Sequence, residues 1–193
     1  ATLRGLTLRG GGSDLPAVQV GQGRLQLTDC DVVGQGIVAV HVPGGQFELR
    51  DCRISNPAGA GFLIEKNATG EVVRTTVRDV DSAAIVITGG ADPVFRDCTL
   101  ADVRGAGVLV TNGGRGAVEA CDISAVEGPA VAVEENGAVR VVRTIVHDTS
   151  GAGVFVTGGS PTFEECELRA VGGHGVVLSG TADPVLTRCR VSG

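Results

Sequence analysis

Apolar residues recur in this chain at a spacing near 23, and the columns they form predict its elements. Leu27, Leu49, Val72, Phe95, Val118, Val141, Phe163 and Leu186 make one column. Leu8, Val32, Ile54, Val77, Leu100, Ile123, Val146, Leu168 and Val191 make a second. A third set consists of alternating pairs: Phe62 and Ile64, Ile85 and Ile87, Val108 and Val110, Val131 and Val133, Val154 and Val156, Val176 and Leu178. Alternation of this kind marks short strands with one face turned inward. Gly, Asn, Pro and Asp fall between the columns, so each repeat reads as three short strands joined by tight corners. After the third strand one corner column reads Asn67, Gly90, Gly113, Asn136, Gly159, residue types that tolerate a left-handed backbone. A second corner column, Ser82, Gly105, Gly128, Gly151 and Gly173, precedes that strand.

The cysteines keep the same period. Cys30, Cys52, Cys98, Cys121, Cys166 and Cys189 are separated by 22, 46, 23, 45 and 23 residues, and Thr75 and Thr144 fill the two skipped places. A repeat this short cannot bury its own apolar face, so the coils must stack into one continuous core. The expected fold is all-β: a right-handed parallel β-helix solenoid of about nine coils of 22–24 residues, three short strands per coil. It occupies residues 1–193 as a single domain and is expected to be part of a longer protein. Threonine replaces two cysteines and the column is apolar beside it, so it reads as a buried ladder of free thiols. In-register side chains point the same way, which strains a disulfide. Free thiols suit a reducing compartment, and a cytoplasmic location is expected.

Composition narrows the class. Glycine is 31 of 193 residues, and Trp, Tyr and Met are absent. With 42% hydrophobic residues the chain is not disordered, and a Gly- and Val-rich sequence does not suit a helical bundle. No apolar run approaches the ~20 residues of a membrane helix. A net charge of −6 gives no general pull toward nucleic acid. Neither a membrane nor a nucleic acid is an expected partner, and no cofactor is expected.

Three motifs carry a resemblance: Asp97-Cys98-Thr99-Leu100, Gly105-Ala106-Gly107-Val108-Leu109-Val110 and Gly158-Gly159-Ser160-Pro161. The pattern resembles the β-helix repeats of the pectate-lyase-like superfamily over nearly the whole chain. That superfamily includes polysaccharide lyases, hydrolases and epimerases as well as non-enzymatic modules. The regular coils and the bias of 15 Arg to one Lys look most similar to actinobacterial modules joined to AAA-type ATPases.

The resemblance sets out what an active site would need. Calcium-dependent lyases of this kind cluster carboxylates on one sheet, as a hard cation requires. The equivalent outward positions here are Leu63, Val86, Leu109, Ala132, Phe155 and Val177, and none ligates calcium. In the next outward column Glu65 and Glu134 are three coils, ~14 Å, apart, beyond the ~5–9.5 Å of a glycosidase pair. Gly173-His174-Gly175 matches one element of a polygalacturonase-like site, which makes His174 the weak catalytic candidate. Asn56, Asp79, Asp102, Ala125 and Asp148 form an acidic column in which Asp79 and Asp102 are the weak candidates for a bridging cation. Beside the cysteines, Asp29, Asp51, Arg74, Asp97, Ala120, Arg143, Glu165 and Arg188 read as a solvated face in which Arg74 pairs with Asp97. His41 falls in an irregular second coil, and no two histidines share a column.

The six outward apolar residues carry the functional expectation. A strand apolar on both faces through six coils is expected to be covered on both, over ~24 Å of stack. Two readings follow. The first is a non-catalytic scaffold that binds a protein partner, an adjacent domain or a second copy through this face, with help from uncapped ends. The second is a carbohydrate-active enzyme or sugar-binding domain, against which stands the lack of Trp and Tyr for stacking on sugar rings.

Overall fold

The computed structural model describes residues 1–10, 12 and 14–192. Its strands form three parallel sheets, two of nine strands and one of eight, so eight complete turns are followed by the first two strands of a ninth. The first sheet runs from Thr2–Arg4 to Val185–Thr187, the second from Thr7–Arg9 to Arg190–Val191, and the third from Val18–Gln19 to Val176–Ala182. Pairing is residue for residue one coil apart. Val72 of Thr69–Val73 lies between Leu49 and Phe95, and Ile85 of Ile85–Ile87 lies between Phe62 and Val108.

The predicted apolar columns fill the interior except at their last members, since Leu178, Leu186 and Val191 are exposed. Leu27, Leu49, Val72, Phe95, Val118, Val141 and Phe163 are buried, as are Val32, Ile54, Val77, Leu100, Ile123, Val146 and Leu168. Phe62 and Phe95 meet edge to face across the core, with centroids 5.5 Å apart. The six cysteines are free and five are buried, Cys189 being partly exposed. Thr75 and Thr144 imitate a thiol, each hydroxyl donating to the carbonyl two residues earlier (3.1 and 3.2 Å).

The corners divide the glycines into two kinds. Asn67, Gly90, Gly113, Asn136 and Gly159 adopt the expected left-handed backbone (φ 60, 76, 68, 63 and 101°). The column before the third sheet answers to a different demand. A Cβ at Gly128 would lie 2.6 Å from the Gly105 oxygen, and one at Gly151 would lie 2.3 Å from the Gly128 oxygen. There glycine permits close stacking of one coil on the next.

Two further left-handed columns carry side chains. Every residue just before the cysteine column is left-handed, from Asp29 (φ 53°) through Arg74 (46°) and Ala120 (50°) to Arg188 (52°). Each loses roughly 1–2 kcal/mol to steric strain. Interlocking of the coils enforces it, because the same residue's N–H donates to the next coil: Arg74 to Arg96 O (3.0 Å), Ala120 to Val142 O (2.9 Å). Asp79, Asp102, Ala125, Asp148 and Ala170 form the second column, also left-handed (φ 47–54°). They bulge out of the second sheet, and the register shifts between Arg78 and Val80. That shift corrects the expected acidic column: Asn56 aligns with Val80, not Asp79. Its side chain is buried and donates to Gly36 O (2.9 Å) and Ala60 O (2.8 Å).

Candidate functional site

Charge separates the three sheets. On the first sheet an unbroken chain of ion pairs crosses the coils: Arg24–Glu48–Arg50–Glu71–Arg96–Glu119–Arg140, with contacts of 2.5–3.0 Å. Three donors converge on Glu48 and hold its carboxyl down at about 2, the Arg50 bond contributing most, then Gln26 and Arg24. Arg96 likewise depresses Glu119. This network was not anticipated. Its signal is the outward columns Glu48–Glu71 and Arg50–Arg96–Glu119, which are broken by Val73 and Val94.

The second sheet carries shorter groups. Arg53 binds Asp31 (2.6 Å). Both ring nitrogens of His147 face carboxylates, Nδ1 toward Asp148 (2.6 Å) and Nε2 toward Asp122 (3.2 Å). The Asp148 bond, then Asp122, raises its pKa above the usual histidine value. At the corner between the first two sheets Arg74 turns back to Asp51 (2.7 Å) rather than forward to Asp97, correcting the expected pair.

On the third sheet the six expected residues do form one straight column. Leu63, Val86, Leu109, Ala132, Phe155 and Val177 pair in register through successive strands. Ala132 is buried and the other five are half-buried, because at ~4.8 Å spacing each covers part of the next. The column extends upward into His41, which aligns with Leu63. The second coil is therefore in register there, contrary to expectation, and His41 Nε2 meets Glu65 Oε2 at 2.7 Å. That is the sheet's one contact between a histidine and a carboxylate among the described residues. Two residues that the columns did not single out add apolar surface at its corner: Leu15 (64% exposed) and Ile37 (67% exposed). Each lies three residues before a paired position, Val18 and Val40.

A groove of about 570 Å³ runs along the corner between the second and third sheets. Its walls bring together Asp79, Asp81, Asp102, Glu127 and Asp148 over a floor that includes Val80, Val103 and Val126. The guanidinium of Arg78 occupies the position between Asp79 and Asp102, 3.0 Å from each. Arg104 binds Asp81 (2.8 Å). The side chains of Asp79 and Asp102 are 59% and 48% exposed. Among the described residues, no three His, Cys, Asp or Glu side chains form a metal-holding group. A second hollow of about 370 Å³ lies over Phe47 and Gly70 on the first sheet. His174 is exposed at the corner before Val176–Ala182 and lines neither groove.

Three parallel sheets wound from one repeating coil define a parallel β-helix. Residues 35–191 match the family model described as right handed beta helix region, and the chain belongs to that family. No curated protein matches the chain.

Proposed function

We propose that this β-helix is a non-catalytic association module whose third sheet docks a protein surface. One observation carries the reading: ion pairs cross the first two sheets, while the third presents six apolar residues in a line. Contiguous apolar surface on a folded protein marks contact sites. Leu15 and Ile37 enlarge it at one end. The occupant is a partner chain, an adjacent domain or a second copy. The free thiols support a reducing, cytoplasmic setting. The coil motifs support a place among the pectate-lyase-like proteins, nearest the modules joined to AAA-type ATPases.

A carbohydrate-active role would have to use the acidic groove. Three of its carboxylates, Asp79, Asp81 and Asp102, are paired with arginines, and the chain has no Trp or Tyr to stack on a sugar ring. The scaffold reading is tested with Leu109→Glu combined with Phe155→Glu. Circular dichroism is expected to show an intact fold. Light scattering and pull-down from source-cell extract are expected to show loss of self-association or of a specific partner. Unchanged mass together with unchanged partner binding would overturn it.

A further inference from the structure

The six cysteines form three pairs on consecutive coils: Cys30 with Cys52, Cys98 with Cys121, Cys166 with Cys189. Thr75 and Thr144 separate the pairs. All six thiols point the same way, each donating to the carbonyl oxygen two residues earlier at 3.2–3.5 Å. Equal side-chain orientation in a parallel, in-register ladder places neighbouring sulfurs one strand spacing apart, ~4.8 Å. A disulfide needs ~2.05 Å, so oxidation would require both side chains to abandon this shared orientation and rotate toward each other inside a packed core. Two metal–sulfur bonds of ~2.3 Å in a straight line span ~4.6 Å, and the coils need not move.

Donor number and charge then select the ion. Zn²⁺ requires four ligands, and no third ligating side chain joins any pair among the described residues. Soft d¹⁰ cations accept two thiolates in line. The surroundings are apolar, so a charged product is costly. Two thiolates neutralise a divalent ion, whereas a monovalent ion leaves one negative charge. We propose that each cysteine pair is a two-coordinate site for a soft divalent cation of the Hg²⁺ type, held between consecutive coils. Two S–H bonds break, two S–metal bonds form, and two protons pass to water for each ion. Cys189 is partly exposed while the other five are buried, so the Cys166–Cys189 pair fills first.

The probe is HgCl₂ titrated into the folded chain with millimolar glutathione present, since a single thiol has no chelate advantage over glutathione. Native mass spectrometry is expected to show three ions per chain, the first bound fastest, with the circular dichroism spectrum retained. Cys98→Ser and Cys189→Ser are each expected to reduce three ions to two, and only Cys189→Ser removes the fast phase. Six ions per chain, three ions in either serine variant, uptake only on unfolding, or no uptake would each overturn the assignment. So would diamide oxidation that removes two hydrogens per pair from the folded chain.

Discussion

Replacing Gly151 with Ala tests whether the corner before the third sheet is set by contact between coils. The new Cβ would lie 2.3 Å from the Gly128 oxygen and 2.5 Å from the Gly128 carbonyl carbon. Carbon–oxygen contacts settle near ~3.3 Å, so the coils must part locally by ~1 Å. The hydrogen bonds from Ala130 N to Ala152 O (2.9 Å) and from Val131 N to Gly153 O (3.1 Å) hold this corner closed and would stretch. Overpacking of this kind costs about 1–3 kcal/mol. Loss of glycine's freedom in the unfolded chain returns about 0.4–1 kcal/mol. The expected net loss is about 1–2 kcal/mol, or a fall in Tm of roughly 2–8 °C for a chain of this size. Gly21 provides the control, since a Cβ there meets nothing within 4 Å and its φ is not left-handed. Gly21→Ala is expected to stabilise by about 0.4–1 kcal/mol. Urea denaturation followed by circular dichroism measures both. If Gly151→Ala proves neutral or stabilising, close coil contact is not the reason for this glycine column.

Three further outcomes are expected. Phe95→Ala removes a fully buried ring and its contact with Phe62; urea unfolding should show a loss of about 3–5 kcal/mol, and a loss under about 1 kcal/mol would contradict the packing. Glu48 is held down at about 2, mainly by Arg50, so its contribution is complete above the unfolded value of ~4.3 and is lost as pH falls from there through about 2. The stability gap between wild type and Glu48→Gln should therefore close over that window, and a gap that persists at pH 2 would refute it. The raised pKa of His147 reverses the sign: its contribution is complete below the ordinary value of ~6.5 and is lost as pH rises through the higher folded value. Because Asp148 is its main cause, Asp148→Asn should lower the NMR-titrated pKa more than Asp122→Asn does, and the opposite order would reject this geometry.

What the column pattern reveals is decided by the stack itself. A parallel ladder repeats the same environment at every coil, so an interior position such as Phe95 or Leu100 must be apolar each time, and the period shows directly. Outside, the ladder sets neighbours but not partners. Arg74 has Asp51 on one side and Asp97 on the other, and side-chain direction alone selects Asp51. One inserted residue also changes a column's meaning, as the bulge at Asp79 does when it aligns Asn56 with Val80. The left-handed corners at Arg74, Ala120 and Glu165 were hidden for a third reason. None of these residues favours that backbone, and the conformation is imposed by hydrogen bonds to the next coil.

The apolar face combines both levels. Its six residues were legible because every coil repeats them, yet its shape depends on the strand spacing. At ~4.8 Å a leucine or phenylalanine shields the residue above and below it, so the column is a low ridge of half-buried side chains. Such a ridge offers little area per residue and gains its reach from length. A partner that runs along the solenoid axis covers more of it than one that crosses it. The placement of Leu15 and Ile37 at the ridge's N-terminal corner, where both are about two-thirds exposed, then makes that corner the end at which a long partner gains the most contact.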